Sequence, residues 1–518
     1  MSTRWLTVLL LIGLGSVALG PETLLHLKTR SHGIPQTWAE SDTAPPRRLP
    51  STRPHVVLQF AETPRLAQLM ELTLRGATVV GYIPDGGLMV AVAEGTRLDG
   101  LRVVAAGPLR LENKISALLA DDTTSFVVEF HPDVSAADAY TVLRESNLDP
   151  HYHPDLLPQH MLVYGSLERA AWLAGWDEVA YVYPASQDLL DGVRVYPCAG
   201  PVTQYGRVGQ YVARVGDGWD GPGQGSAIVG YYLGQLAAGI ARPLAQPEIM
   251  RGLTEWSKYV QVDFTPALTP SAPHTVSLLF ASGSHGDQYP FDGPGGVLAH
   301  TFYPAPPNPE SIAGDMHFDG SENWGIGSGV DLFSVTLHEA GHALGLGHSD
   351  QPGDVMYPYY RRVSALAAND IAAVRQLYAA RGGGSVPPVP TPTPTPTPNP
   401  TPTPTPIPTP TPPGPTPTPT PASPGGDKVA PSLTILSPAS TSVLTRNSSI
   451  VFRGTARDNV GVVRVTWRDS LGGTGVASGT ANWQTGSISL RAGSNTITIR
   501  AYDAAGNSGW RAVAVTRK

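Results

Sequence analysis

A tract of alternating threonine and proline, residues 386–424, divides this chain of 518 residues into two separate folding units. Proline at alternate positions holds the backbone in an extended polyproline II conformation, so this stretch cannot belong to a folded core. At about 3.1 Å per residue the tract would span on the order of 100 Å as a semi-rigid spacer. We therefore predict a multidomain protein with a Thr-Pro-rich linker over residues 382–427.

Composition narrows the classes of function. A net charge of -7 at pH 7, with no basic run, argues against nucleic acid and anionic membranes as partners. The only cysteine, Cys198, excludes an internal disulfide. Residues 1–20 contain an apolar run too short to span a bilayer, followed by small residues. This pattern predicts a signal peptide and a secreted, extracellular protein without a membrane span. Association with the cell surface stays open.

The region before the linker begins with two similar segments. Residues 21–52 are polar and unassigned, whereas residues 53–190 twice follow the order strand, helix, strand, strand, helix or turn, strand. This is a ferredoxin-like order. It resembles the small prodomains that precede secreted proteases, here in tandem, and two ordinary α+β domains without this role are the alternative. A connector over residues 191–226 follows.

Residues 428–518, after the linker, alternate like an all-β domain. About seven short strands, with turns every 8 to 12 residues, predict a β-sandwich. The stretches "GTARDNVGV" and "AYDAAGNSG" resemble the bacterial immunoglobulin-like modules appended to secreted enzymes. A cell-wall, carbohydrate or protein ligand and a mere spacer role all remain open for this domain.

The stretch "HEAGHALGLGH" carries the clearest chemistry. His338 and His342 are four residues apart on a predicted helix and therefore share one face. Gly345 permits the positive φ that ends the helix and brings His348 round as a third ligand. Three neutral imidazoles with one open position describe a catalytic zinc rather than a structural one. Glu339 lies beside them and could act as the base toward a zinc-activated water.

These residues resemble the signature H-E-x-x-H-x-x-G-x-x-H of the metzincin proteases. Met356 in "DVMYP" is the expected methionine turn, and Ser349 narrows the resemblance to the matrixins, the matrix metalloproteinase branch. The resemblance implies a zinc endopeptidase that acts on protein or peptide substrates. It also implies an α+β catalytic domain over residues 227–381, with a twisted mixed sheet and three helices. In that family "GVLAHTF" would be the edge strand that pairs with the substrate, and residues 357–361 would wall the specificity pocket.

A second group of metal-ligand residues lies upstream. By spacing, a tetrahedral zinc with no open position, and hence structural, could be held by His285, Asp287, His300 and His317. Hard oxygen donors suited to calcium are the carboxylates of Asp292, Asp319 and Glu322 and the carbonyls of Gly293, Gly295 and Val297. The pattern is similar to the structural-zinc and calcium loop of matrixins. Between His300 and His317, however, the chain is longer than usual in the family.

Latency is the remaining question that the sequence raises. Matrixins often use a prodomain cysteine whose thiolate fills the fourth position on zinc, and Cys198 in "YPCAGP" is a candidate for this zymogen switch. The motif lacks the family's arginine, and Pro197 directly precedes the cysteine. An incidental loop cysteine, or steric blocking by the tandem domains, are the alternatives. A rival function is a surface adhesion protein whose immunoglobulin-like domain does the binding, although the intact Glu339 favours an enzyme.

Overall fold

The structure, a computed structural model, divides the chain into two compact units, residues 1–387 and residues 388–518. The described residues are 27–28, 46–382 without 85, 94, 152, 213–217, 221–223, 237–238 and 306, and 431–518 without 439–441, 470–472 and 505–507. The predicted signal peptide and nearly all of the predicted linker lie outside them. Within the described part, no helix has the length and apolar character needed to cross a membrane.

The first unit begins with a four-stranded antiparallel sheet. Its elements are β1 (His55–Phe60), α1 (Leu66–Leu74), β2 (Ala77–Ile83), β3 (Gly87–Val92) and β4 (Val103–Gly107). The strand order is β2-β3-β1-β4. Strands β1 and β3 are buried at every position, as expected for the two central strands of a sheet covered on both faces. A short 3-10 turn, Leu111–Asn113, leads to the next sheet.

The second sheet repeats this arrangement. Its elements are β5 (Ser125–Phe130), α2 (Ala136–Glu145), β6 (Pro150–His151), β7 (His160–Tyr164), α3 (Leu167–Ala174), β8 (Val179–Pro184) and α4 (Gln187–Leu190). The strand order is β6-β7-β5-β8, all antiparallel. The Ser135 side chain caps α2 by accepting a hydrogen bond from the Asp138 amide. Leu143 of α2 and Leu173 of α3 are buried in the core beside the sheet.

The connector contains three two-residue strands, β9 (Tyr196–Pro197), β10 (Val202–Thr203) and β11 (Gly206–Arg207). Strands β10 and β11 form an antiparallel hairpin. The sequence predicts a connector with a possible cysteine switch here and no strands, because no run in this segment is long enough to show a strand periodicity.

The last part of the first unit is a five-stranded mixed sheet with three helices, as predicted. Its elements are β12 (Ala227–Leu233), α5 (Arg242–Ser257), β13 (Val262–Pro266), β14 (Thr275–Ala281), β15 (Ala299–Thr301), β16 (Met316–Asp319), β17 (Trp324–Gly325), β18 (Val330–Asp331), α6 (Leu332–Ala343), β19 (Tyr359–Tyr360) and α7 (Ala368–Leu377). The order is β13-β12-β14-β16-β15, and only the edge strand β15 is antiparallel to its neighbour.

Helix α6 is the centre of this part, because all of its residues are buried. It begins directly after β18, where the Asp331 side chain caps it by accepting from the Ser334 amide. Helix α5 packs along it, and the indole of the buried Trp256 donates a hydrogen bond of 3.0 Å to the Leu337 carbonyl. The helix that carries the predicted ligands is therefore held on all sides.

The second unit is all-β, as predicted. Its strands are β20 (Ser432–Ser437), β21 (Ser442–Thr445), β22 (Ser449–Ile450), β23 (Arg453–Arg457), β24 (Val462–Asp469), β25 (Thr474–Val476), β26 (Asn482–Gln484), β27 (Ile488–Ser489), β28 (Gly493–Asp503) and β29 (Ser508–Arg517). They form sheets β20-β23-β26 and β21-β29-β28-β24-β25 and the pair β22-β27. The ten strands within the described residues exceed the predicted number of about seven, because four of them are only two or three residues long. Phe452, Trp483 and Ile499 lie in the core.

Candidate active site and metal centres

Helix α6 presents His338 and His342 from one face, and both side chains are completely buried. The Nδ1 atom of His338 lies 2.6 Å from the Val355 carbonyl oxygen, and that of His342 lies 2.7 Å from the Leu346 carbonyl oxygen. A carbonyl only accepts, so each Nδ1 carries the proton and each Nε2 presents a lone pair. This outer hydrogen bonding orients both rings as metal ligands.

The chain turn after α6 brings the third histidine to the same point. Gly345 has a φ of 99°, which favours glycine, and its amide bonds the His342 carbonyl at 2.9 Å. Ligand atoms of His338, His342, His348 and Cys198 all lie within 4.8 Å of one another, and all four residues are buried. The Nε2 atoms of His338 and His348 are buried, and neither has a hydrogen-bond partner among the described residues. Orphaned acceptors that surround one point fit a bound metal ion.

Burial also keeps these imidazoles in the form that binds a metal. It lowers the pKa of His338 to about 4, and it holds the pKa values of His342 and His348 well below their usual range. All three rings are therefore neutral near pH 7, as zinc ligation requires.

Glu339 is fully buried beside the histidines. Its Oε2 accepts a hydrogen bond of 2.6 Å from the Thr301 hydroxyl, and its Oε1 lies 3.7 Å from Cys198 Sγ. Burial raises the pKa of this carboxyl group to about 7. The two oxygens therefore have different surroundings, and only Oε1 faces the cluster of ligand atoms. This geometry suits a base next to a metal rather than a metal ligand.

The predicted methionine turn lies beneath the helix. Met356 is completely buried, and its carbonyl accepts a bond of 2.8 Å from the Ser349 amide. The Asp370 carboxylate accepts from the amides of Val355 at 2.8 Å and Met356 at 3.3 Å. Asp370 thus fixes the turn from helix α7. Asp370 cannot be recognised from the sequence, because its position in the first turn of a helix also suits an ordinary capping residue.

Gly341 allows the close approach of the methionine turn to helix α6. A Cβ atom at this position would overlap Met356 Sδ and would lie 2.9 Å from Trp256 Cζ2. We expect Gly341→Ala to lower the free energy of unfolding by about 1–3 kcal/mol through overpacking, despite the higher helix propensity of alanine. Denaturant unfolding of the full chain measures this. Gly353→Ala, where a Cβ would meet nothing within 4 Å, is the control. Equal stability of the two variants would contradict the prediction.

A second metal-ligand cluster forms where strands β15 and β16 pair. His300 and His317 lie opposite each other, and Asp287 Oδ2 lies 3.0 Å from His300 Nε2 and 2.8 Å from His317 Nδ1. His285 Nε2 is 3.2 Å from His317 Nδ1, and its Nδ1 bonds the Gly283 carbonyl. The ligand atoms of a tetrahedral zinc lie roughly 3.3 Å apart. The structure thus brings together all four residues predicted for structural zinc, and their donor set and spacing fit that ion.

The acidic residues predicted for calcium lie close together, but their oxygens do not converge on one point as the ligand atoms of the two histidine clusters do. Glu322 Oε1 accepts from the Gly295 amide at 2.5 Å, and Asp292 Oδ1 accepts from the Val297 amide at 3.0 Å. Asp319 Oδ2 is buried, and no described residue offers it a hydrogen bond. Burial raises the pKa of Glu322 to about 7, and the negative charges of the other two carboxylates contribute to this rise. In the described ranges, these oxygens do not gather into a third ligand group like the two histidine clusters.

Residues 196–212, which we call the strap, lie across the cleft beside the first cluster. Strand β9 pairs antiparallel with β19, and the Cys198 amide donates to the Pro358 carbonyl at 2.9 Å. Val202 forms a parallel bridge with Phe302, which directly follows the edge strand β15. Between these two pairings, Cys198 Sγ lies 3.6 Å from His342 Nε2. The strap therefore contacts both walls of the cleft and places the thiol at the histidines.

The strap then returns to the first two sheets. Val208 bridges Tyr82 of strand β2, and the Gln210 amide donates to Glu129 of strand β5 at 3.0 Å. The predicted pocket wall is covered as well, because the Tyr359 hydroxyl lies 2.6 Å from His160 Nδ1. The C-terminal end of the strap is thus held by residues 53–190. The sequence does not reveal this path, since it depends on contacts between distant parts of the chain.

Comparison with known proteins agrees with this geometry. Residues 228–379 match the family model described as matrixin, and residues 431–499 match the one described as bacterial Ig domain. The chain is 40% identical over 150 residues to karilysin of Tannerella forsythia. These aligned residues make up 29% of this chain and 31% of karilysin. It is 39% identical over 162 residues to matrilysin of Rattus norvegicus, and these residues make up 30% of this chain and 58% of matrilysin. Against macrophage metalloelastase of Rattus norvegicus it is 49% identical over 110 residues, 20% of this chain and 23% of that protein.

These matches confirm both resemblances that the sequence motifs indicate. The chain spans less than two thirds of each of these relatives, so the similarity concerns a domain and not their whole length.

Proposed function

Because residues 228–379 form a matrixin domain and residues 431–499 a bacterial Ig domain, we propose that the chain is a secreted zinc-dependent endopeptidase of extracellular proteins, made as a zymogen. One observation carries the proposal. Two orphaned Nε2 atoms, of His338 and His348, lie within a cluster of buried ligand atoms beside the carboxylate of Glu339. A buried base next to a three-histidine site is the arrangement that peptide-bond hydrolysis on zinc requires.

Each residue of the site has a separate role in this proposal. Zinc, held by His338, His342 and His348, would polarise the scissile carbonyl and make water more acidic. Glu339 takes a proton from the attacking water through Oε1 and passes it to the leaving amine. Strand β15 is the sheet edge that aligns an extended substrate through its main chain. The buried surroundings exclude other water and strengthen these interactions.

The region before the catalytic domain is, in this proposal, an inhibitory prodomain made of two ferredoxin-like units. The shared strand order of the two sheets, β2-β3-β1-β4 and β6-β7-β5-β8, supports the assignment. The strap supports latency, because it occupies the cleft where a substrate would bind. The Cys198 thiol would then be the fourth ligand of zinc in the zymogen, since its sulfur belongs to the same cluster as the histidines.

We also propose structural zinc at His285, Asp287, His300 and His317, and calcium at the neighbouring acidic loop. The four-residue donor set leaves no open position, which favours a structural role over a catalytic one. The mutual repulsion of Asp292, Asp319 and Glu322 favours a cation between them. Such ions would rigidify a long loop in a chain whose single cysteine cannot form an internal disulfide.

Hydrolysis of casein or gelatin with and without a zinc chelator tests the proposed function. We expect the processed chain to degrade the substrate, to lose this activity when zinc is removed and to regain it when zinc is restored. Calcium restored alone is the control for the ion. Degradation that continues in the metal-free protein would contradict the proposal.

A further inference from the structure

We propose that Thr301 is the positioning residue of the catalytic base, which fixes one oxygen of Glu339 so that the other faces the reacting groups. This inference rests on the proposed function and goes beyond it, because Thr301 belongs to neither metal centre. Its hydroxyl oxygen lies 2.6 Å from Glu339 Oε2, and both side chains are completely buried. A hydroxyl that donates to a carboxylate in such surroundings forms one of the stronger classes of hydrogen bond.

The position of Thr301 on strand β15 explains how the hydroxyl is held. Side chains alternate between the two faces of a strand, so neighbouring His300 and Thr301 point to opposite sides. His300 belongs to the second metal cluster, and Thr301 contacts the base. Strand β15 is paired with β16 through His300 and His317 and through Thr301 and Met316. The hydroxyl is therefore carried by a backbone that is fixed on its far side by the cluster of His285, Asp287, His300 and His317.

The base needs this partner most when the cleft is open. Among the described residues, the Glu339 carboxylate has two side-chain hydrogen-bond partners, Thr301 at Oε2 and Cys198 at Oε1. Removal of the strap takes the cysteine away and leaves Thr301. A glutamate side chain has three rotatable bonds, so loss of its remaining partner would let Oε1 turn away from the attacking water. The threonine keeps its own proton throughout and contributes by orientation alone.

Thr301→Val tests this role, because valine keeps the shape of threonine and removes the donor. Full-length variants are processed by a tagged parent protein that is then removed, and active sites are titrated. We expect kcat on a peptide substrate to fall by about tenfold to a hundredfold, since small misplacement of a catalytic group has effects of this size. KM should change by less than about twofold and the zinc content should not change, because valine leaves the substrate-pairing backbone and the zinc ligands in place.

Two further variants separate the hydroxyl from packing effects. Thr301→Ser keeps the donor and should restore kcat to within about threefold of the parent. Thr336→Val is the matched control, since Thr336 is a buried threonine of helix α6 whose hydroxyl has no hydrogen-bond partner in the part of the chain that the structure describes. It should leave kcat unchanged. If Thr301→Val does not fold, Thr301→Ala removes the same hydroxyl without adding bulk, and the same fall in kcat is expected.

Two outcomes would overturn the proposal. One is an unchanged kcat in Thr301→Val or Thr301→Ala, and the other is an equal loss in Thr301→Ser, which would show that the hydroxyl is not the cause. Glu339→Ala separates this failure from failure of the proposed function. If Glu339→Ala is inactive while Thr301→Val keeps full activity, only the role of Thr301 is wrong. If Glu339→Ala remains active, the proposed function itself is wrong.

Discussion

Replacement of Glu339 by alanine is expected to lower kcat for peptide hydrolysis by about 10²–10⁴-fold, the usual contribution of a general base. The carboxylate is buried, faces the ligand cluster through Oε1 and bonds Thr301 through Oε2. Burial raises its pKa to about 7, so the group can both accept and return a proton near neutral pH. Nothing in this geometry makes it a metal ligand, and zinc binding should therefore persist in the variant. Initial rates divided by the zinc content of each sample measure the effect.

Two variants sharpen this measurement. Glu339→Gln keeps the shape of the side chain and removes the base, so it should lose activity to a similar degree. Glu248→Ala removes a glutamate of helix α5 that pairs with Arg251 on the surface, and its rate should match that of the parent. Undiminished hydrolysis by Glu339→Ala, at full zinc content, would show that the base has been misassigned.

Cys198→Ser is expected to raise the activity of the uncut chain by at least about tenfold, which corresponds to about 1.4 kcal/mol of lost zinc–sulfur bonding. The thiol lies 3.6 Å from His342 Nε2, within the cluster of ligand atoms, and serine is a much weaker ligand for zinc. Rates are taken on a short peptide substrate before any cleaved fragment is visible on a gel. If the uncut Cys198→Ser chain is no more active than the uncut parent, the thiol does not cause latency.

Steric blocking by the strap is tested separately with Gly200→Val. A Cβ at Gly200 would lie 2.9 Å from the Val208 carbonyl oxygen, and its φ of 86° disfavours any larger residue. This change should displace the strap while the thiol remains. If Gly200→Val activates the chain and Cys198→Ser does not, the strap blocks the cleft by its bulk alone.

The local chemistry of the site can be predicted from the sequence because its residues are close in the chain. The interval from His338 to His342 is one helical turn, and Gly345 predicts the turn that brings in His348. The partners that stabilise these residues are distant. Thr301 precedes Glu339 by 38 residues, Asp370 follows Met356 by 14, and Cys198 precedes His342 by 144. Such contacts depend on tertiary packing, and no periodicity or motif encodes them.

The same distinction holds for the fold. Alternation and helical periodicity predict the repeated segments before residue 190 and the all-β second unit, because long elements carry repeating patterns. The strap consists of two-residue strands, whose pairing is decided by the surfaces that they contact. The acidic loop of Asp292, Asp319 and Glu322 could be predicted from the sequence only in part. Its carboxylates are close together as the spacing indicates, but Asp292 accepts from the Val297 amide of its own turn and Glu322 accepts from the Gly295 amide of that same turn, which the sequence does not reveal.

Incubation of the purified full-length chain, followed by N-terminal sequencing of its fragments, tests the central claim most directly. A zinc endopeptidase restrained by its own prodomain should cut itself between strands β11 and β12, and the cut should coincide with the appearance of peptidase activity. Neither should occur in Glu339→Ala or after zinc removal. A chain that stays intact and inactive, or that is cut equally well without zinc, would contradict the account.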